Sequence, residues 1–375
     1  MSIVIFILVL SFLVFIHELG HFIAAIRSGV VVEEFGIGYP PKAFKLFNWR
    51  GTDFTLNWIP FGGFVRMRGE EGVIEGSSEK KSEGGEFYAA DTWKKLLIIL
   101  AGPGVNFFFG VLVFAAVFTR SGIPHLLTEA RIGAVSEGSP SQAAGVPTNV
   151  TIMGMFVGED LSEYVVTPEV SDVIETILEH RGETVRIQTT GNCEALACEE
   201  RVQTFDVYAR TAEETPENQG SIGVAFESVV YQFYPSWQMP FRGIAFGFTQ
   251  AFDLSREIVG ALGAMVSDIA SNRRVPDDVA GPVGIVHQAQ ETGILTGGFI
   301  SIISFAALLS INLAVMNVLP IPPLDGGRAI LLMAEYVLGR KRTEKVEYYL
   351  NYGGYFLLMG LIIVITIRDV IRLFT

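Results

Sequence analysis

The sequence predicts a polytopic α-helical membrane protein with about four transmembrane helices, a membrane-associated β-hairpin element and an extracytoplasmic α+β domain. Three observations carry this. Half of the 375 residues are hydrophobic and only 18% are charged, against about a quarter charged in soluble domains. The apolar residues are blocked into runs near the length a bilayer requires. The charge is segregated: segment 121–240 holds 18 Asp and Glu against five Arg and no Lys, which accounts for the whole net charge of −13.

The elements follow in chain order. Residues 1–27 form the first transmembrane helix, with Ile3 to Ile26 nearly all apolar. Neither a basic stretch before this run nor a small-residue cleavage site after it supports a signal-peptide reading. Residues 28–69 read as a membrane-associated β element. Phe44–Trp49 and Phe54–Ile59 flank a turn at Arg50-Gly51-Thr52-Asp53, and Phe64–Arg68 adds a third strand after Gly62-Gly63. The aromatic content of these strands suggests that they dip into the membrane, shielded by protein. Residues 70–95 are a cytoplasmic linker rich in Glu, Gly, Ser and Lys. Residues 96–119 form the second transmembrane helix.

Residues 127–212 form the compact α+β module, with strands at Ala130–Val135, Val185–Thr189 and Thr204–Arg210. Its helix over Pro168–His180 carries Val170, Val173, Ile174 and Ile177 on one face. Apolar stretches broken by Asp253, Arg256, Glu257 and Asp268 read as amphipathic outer-surface helices within 236–295. Residues 298–320 form the third transmembrane helix, 321–353 a cytoplasmic loop, and 354–375 the fourth transmembrane helix.

Orientation follows from the basic residues. Segment 27–95 carries ten Lys and Arg, and 320–353 carries five. The positive-inside rule places both in the cytoplasm and 121–240 with both termini outside; Arg368 and Arg372 run mildly against this. The acidic outer segment argues against nucleic acid as a partner. The two cysteines, Cys193 and Cys198, both lie in it. Their spacing suggests a hairpin-closing disulfide in an oxidising compartment, with two free thiols as the alternative.

Residues 17–21 read His-Glu-Leu-Gly-His inside the first apolar run. Positions i and i+4 share a helix face, so His17 and His21 can bind one Zn²⁺ per chain, and Glu18 is placed as general base. Three ionisable groups within five membrane residues are costly and call for a compensating partner; a buried polar cluster that packs helices is the bland alternative. A catalytic zinc takes three protein ligands. Asp325 is the candidate third, just past the third apolar run in Asn317-Val-Leu-Pro-Ile-Pro-Pro-Leu-Asp-Gly-Gly. A helix N-cap is its alternative role and is compatible with ligation. His17–His21 lie in the inner half of the first span and Asp325 follows the inner end of the third, so both approach the cytoplasmic side. His125, His180 and His287 read as surface or structural residues.

With these residues in hand, the sequence resembles the bacterial site-2 protease family of membrane metalloproteases. The marks are His17–His21, Asn317–Gly327, Phe35-Gly36-Ile37-Gly38, Pro60-Phe61-Gly62-Gly63-Phe64, Ala101-Gly102-Pro103 with Asn106, and Gly281-Pro282-Val283-Gly284. The resemblance implies an intramembrane zinc endopeptidase with His17, His21 and Asp325 as ligands and Glu18 as base, set in the bacterial cytoplasmic membrane. It implies that the β element, through Gly36, Gly38, Gly62 and Gly63, holds substrate by strand addition, and that Asn317 contacts the substrate backbone or the developing oxyanion. Asn106 and Asn312 have helix packing as an equal reading. Implied substrates are single-span membrane proteins such as anti-sigma factors or signal-peptide remnants. Segment Glu137–Gly145 resembles part of a PDZ domain, but Pro147-Thr148-Asn149 replaces that family's usual Gly-Asp turn; the acidic domain either binds peptide or acts as a size filter. Two rivals are a catalytically inactive membrane-anchored PDZ scaffold, against which the intact Glu18 argues, and a metal-binding transporter, which would show several sites along a path.

Overall fold

A computed structural model describes residues 2–70, 85–158, 160–167, 169–194, 197–272 and 281–372. The chain divides into two compact units, Met1–Val117 with Pro240–Thr375, and Phe118–Met239.

The first unit opens with α1 (Ser2–Arg27), an apolar run with no internal helix breaker. It ends at Gly29, whose φ of +81° suits a left-handed helix stop. The chain then forms β1 (Val32–Trp49) and β2 (Thr52–Met67). These two long strands behave as four segments. Lys42–Trp49 pairs with Asn57–Thr52 across the turn at Arg50-Gly51, while Glu34–Ile37 pairs with Asp53–Leu56 on one side and with Arg66–Gly63 on the other. The expected separate third strand is therefore the end of β2, folded back onto the start of β1. Buried side-chain bonds fasten the layers: Thr52 Oγ1 donates to the Val32 carbonyl, Thr55 Oγ1 to Glu34 and Asn57 Nδ2 to the Gly38 carbonyl. Phe35, 1% exposed, packs edge-on against Phe15 and Phe22 and joins this sheet to α1. Of the linker expected over 70–95, residues 71–84 lie outside the described residues.

α2 (Thr92–Ser121) follows. It crosses α1 closely, because a Cβ at Gly20 would sit 2.6 Å from the Ala101 carbonyl oxygen. This is the small-residue packing that lets apolar helices approach without a hydrophobic drive.

The second unit contains β3 (Ile123–Leu126), β4 (Arg131–Val135), α3 (Pro140–Ala143), β5 (Val150–Val157), β6 (Glu163–Val166), α4 (Val170–Glu179), β7 (Thr184–Thr189), β8 (Cys193–Glu194), β9 (Ala197–Cys198), β10 (Gln203–Tyr208), β11 (Val224–Phe226) and β12 (Val229–Gln232). One sheet runs β10-β7-β5-β4-β11, with β6 also on β5; β3 pairs with β12. Ile132, Ile152, Met155, Val173, Val185 and Ile187 form its own core. The module is larger than the expected 127–212, because β11 completes the sheet from beyond that boundary. On α4, Val173 and Ile177 are buried as expected, but Ile174 is exposed; a 3.6-residue period turns it off the face that Val173 and Ile177 share. Pro168, the expected start of this helix, lies outside the described residues. Asn149 takes φ +60° at the turn after Val146, a conformation asparagine tolerates better than most residues. Cys193 and Cys198 are joined as a disulfide across β8 and β9.

The rest of the first unit is α5 (Met239–Asn272), α6 (Pro282–Glu291), α7 (Phe299–Val318), α8 (Asp325–Leu338) and α9 (Arg340–Arg372). α5 runs unbroken through Asp253, Arg256 and Glu257, and α5 and α6 are the helices found among the described residues of the segment 236–295. Those side chains are exposed and cost the helix nothing, and its one proline, Pro240, sits in the first turn. Its first third packs on α2: a Cβ at Gly247 would lie 2.9 Å from the Val111 carbonyl, and Phe248 meets Phe107 edge-on. The segment 321–353, read as carrying Asp325 and a cytoplasmic loop between spans, holds α8 and the start of α9, parted at Gly339 (φ +83°). Arg, Lys and Glu over 340–347 are good helix formers and carry α9 back past the expected start of the fourth span. Residues 373–375 of that span lie outside the described residues.

Among the described residues four helices are long and apolar enough to cross a membrane: Ile3–Arg27, Thr92–Ser121, Phe299–Val318 and Tyr349–Ile371. Leu8, Phe12, Phe108, Leu112, Ile362 and Val364 stand exposed on them, the surface of a protein that hydrocarbon rather than water must cover.

Because the second unit has its own core, a fragment spanning 118–239 is expected to unfold in one cooperative step when expressed alone. Closing a loop of five-residue separation contributes about 2 kcal/mol by chain entropy, so denaturant titration with and without reductant should differ by roughly that amount.

Candidate active site

α1 places His17 and His21 one turn apart on the face toward α2, both largely buried. Their rings meet edge to face with centroids 4.7 Å apart, and the two Nε2 atoms stand 3.1 Å from each other. The α1–α2 crossing at Gly20 builds the floor. At Gly102 a Cβ would run into the His21 Nε2 and the His17 ring, so glycine is required for the imidazole pair to lie against α2. The same approach brings the Ile98 carbonyl to 2.8 Å from His21 Nδ1. Pro103 follows and removes the N–H that would otherwise pair with the Ile99 carbonyl.

Asp325 arrives from the other end of the chain. Leu324 takes the N-cap position of α8, so the alternative capping role for Asp325 is not used. Gly326 and Gly327 let the first turn of α8 press on the Val318 and Leu319 carbonyls and on the backbone at Ile321–Pro322, where any Cβ would collide. This packing aims Asp325 Oδ2 to 3.1 Å from His17 Nε2 and 3.5 Å from His21 Nε2. Burial would raise the Asp325 carboxyl, but the hydrogen bonds and charge of the two histidines hold it below the usual carboxylate range. Its place in the first helical turn also favours the anion.

The three ligand atoms lie within 4.8 Å of one another, and they form the one such group of three or more His, Cys, Asp or Glu among the described residues. Two imidazoles and one carboxylate are the donor set of a three-ligand metal site with an open position. The residues therefore fit a single metal ion.

Glu18 neighbours the first histidine and faces the other way around the site, toward β2. A Cβ at Gly63 would lie 3.5 Å from Glu18 Cγ. Glu18, His17, His21, Asp325, Tyr39, Gly63, Phe64, Val65, Glu70 and Arg328 line one cavity of about 150 Å³. Arg328 and Glu70 close an ion pair of 2.7 Å at its wall.

Of the residues expected to contact substrate, Gly63 lines this cavity. Gly36 lies under the Phe64 ring, Gly38 (φ +82°) lies against the Ile59 carbonyl, and Gly62 (φ +72°) against Tyr39, so these three shape the sheet. Asn317 is half-buried near the end of α7 and is not among the cavity-lining residues. Asn312 is exposed on α7, whereas Asn106 is wholly buried and faces His17. His125 lies on β3, His180 Nδ1 contacts the Thr176 carbonyl, and His287 stands near Glu291. The roles of Gly102, Glu70 and Arg328 were missed from sequence. Gly102 stood within a recognisable motif, but a glycine in an apolar helix does not announce what it lies against.

Residues 5–361 match the model of a family described as peptidase family M50. A Clostridium acetobutylicum protein is 30% identical over 371 residues, covering 99% of this chain and 97% of the relative. Zinc metalloprotease RasP of Geobacillus kaustophilus is 28% identical over 446 residues, covering 100% of this chain and 98% of the relative. Regulator of sigma-W protease RasP of Bacillus subtilis is 25% identical over 447 residues, covering 100% and 99%.

If the Gly102 floor positions the ligands, Gly102→Val should lower metal affinity at least about tenfold, the scale on which ligand-orienting contacts act. Gly104→Ala, where a Cβ meets nothing within 4 Å, should leave it unchanged. Metal content of the two purified variants checks this.

Proposed function

The chain belongs to peptidase family M50 and is a metalloendopeptidase, and from that premise we propose that it uses one zinc ion to cleave the membrane spans of single-span proteins. The observation that carries this reading is the meeting of His17, His21 and Asp325 beside Glu18, in a cavity bordered by the end of β2. The names of the relatives as zinc metalloproteases support zinc as the ion.

The chemistry that zinc supplies when held by His17, His21 and Asp325 is Lewis acidity toward a peptide carbonyl and a lowered pKa for water. The chain's own residues do the rest. Glu18, on the cavity side of the ligands, takes a proton from the attacking water onto its carboxylate and returns it to the leaving amide nitrogen. Asp325 and the imidazoles fix the position of the charge at the site, and the surrounding apolar helices limit water to the cavity.

A peptide in helical form hides its carbonyls in hydrogen bonds, so a substrate span must unwind where it is cut. The Gly63–Met67 end of β2 supports this step. Its residues Gly63, Phe64, Val65 and Met67 line the cavity, and an extended substrate laid along it would gain main-chain bonds in place of those it lost. Exposed Phe44, Phe47, Trp49 and Trp58 on the same sheet suit the membrane-dipping placement read from the sequence.

The distribution of basic residues supports a bacterial cytoplasmic membrane location, with the site toward the cytoplasm and 121–240 and both termini outside. The acidic module is taken to be PDZ-like, on the strength of the Glu137–Gly145 segment, which forms α3 with its Ser139 N-cap. One relative is named as a regulator of sigma-W, which supports regulatory single-span substrates such as anti-sigma factors; signal-peptide remnants fit the same chemistry.

Cleavage of a single-span substrate in a defined bilayer by wild type and Glu18→Gln tests the reading. The variant is expected to keep its zinc and to lose at least about 100-fold in rate, the scale of general acid–base catalysis. Equal rates would remove Glu18 from the mechanism. In a second assay, replacing helix-weakening Gly or Pro residues in the substrate span by Leu should slow cleavage; faster cleavage would contradict the unwinding step.

A further inference from the structure

Both histidines turn Nε2 toward Asp325. For Nε2 to offer a lone pair to a metal, the ring proton must sit on Nδ1, and something must accept it. For His21 the acceptor is the Ile98 carbonyl, 2.8 Å from Nδ1. What faces His17 Nδ1, at 3.5 Å, is the side-chain amide of Asn106.

Asn106 is wholly buried on α2, four residues beyond the Gly102 floor. Its main chain is held from the far side, where Ser310 Oγ on α7 donates to its carbonyl at 2.8 Å. The side chain is held differently. Nδ2 is the atom nearest His17, and Oδ1 is buried with no hydrogen-bond partner among the described residues. Among the described residues, the contact with His17 is therefore the one polar contact that the side-chain amide makes. A primary amide can donate through Nδ2 to a bare Nδ1, or turn over and accept through Oδ1 from Nδ1–H. A buried amide with an empty end is costly to retain where leucine would fill the space.

We propose that Asn106 is a positioning residue that selects the metal-binding tautomer of His17, accepting its Nδ1–H through Oδ1 as the Ile98 carbonyl does for His21. The inference rests on the zinc site proposed above. It explains why α2 carries an asparagine at this depth: one ligand histidine lies beside a backbone carbonyl and the other does not.

The test measures zinc affinity of the full-length protein in nanodiscs by chelator competition, together with the unfolding temperature of each metal-free form. Asn106→Leu should bind zinc about 10–100-fold more weakly with a metal-free unfolding temperature no lower than that of wild type. Asn106→Asp, which keeps an acceptor at the same place, should bind as tightly as wild type or tighter. Ser310→Ala removes the main-chain contact without touching the amide and should bind as wild type does. Wild-type affinity in Asn106→Leu would overturn the proposal. So would equal weakening in the Leu and Asp variants, or in Ser310→Ala, since either marks a packing role; the Asp and Ser310 variants decide the matter even if the Leu variant does not fold. His17→Ala separates this from the zinc site itself: wild-type affinity there would refute His17 as a ligand, whatever Asn106 does.

Discussion

His17, His21 and Asp325 bring three ligand atoms within 4.8 Å of one another among apolar helices. An ionisable side chain in such surroundings costs about 2.5–3.5 kcal/mol on insertion scales when it has no partner. The cluster is tolerable because the groups answer one another and because a metal can answer all three. The close packing around it follows from that requirement. Gly20 lets α1 reach α2, Gly102 leaves space for the rings, and Gly326 and Gly327 press the first turn of α8 against the end of α7. Each is a point where a single Cβ would collide with the backbone or rings that set the positions of His17, His21 and Asp325.

The same geometry sets Glu18, the proposed base, apart from the three proposed ligands. On a helix, Glu18 sits about 100° from His17, so when the histidines face α2 and Asp325, Glu18 faces β2. The folding of β1 and β2 into four segments then has a consequence for chemistry. Pairing Glu34–Ile37 with Gly63–Arg66 carries the end of β2 back to α1, where Gly63 and Val65 meet Glu18. A simple hairpin would have left that segment elsewhere, and the cavity would lack one wall.

Much of this was legible in the sequence. The four apolar runs, the histidine pair at helical spacing, Asp325 in its Pro- and Gly-rich stretch and the acidic module all stood out, because each depends on local composition or on a period. What was missed depends on contacts between distant segments. Alternation reveals strands but not that one strand pairs twice. The limits of the acidic module were drawn short because β11 joins its sheet from beyond a turn-rich stretch. Asn106 in an apolar run read equally as helix packing, because the sequence does not show that it faces His17 Nδ1.

The central claim is that residues 17, 21 and 325 hold one zinc ion through two imidazoles and a carboxylate. Zinc-edge X-ray absorption on the purified, zinc-loaded protein measures that donor set directly. The account predicts one zinc per chain with nitrogen and oxygen neighbours at about 2.0–2.2 Å, scattering from two imidazoles, and loss of one light-atom neighbour in Asp325→Ala. Sulfur scattering at about 2.3 Å, fewer than two imidazoles, or an unchanged spectrum in Asp325→Ala would contradict it.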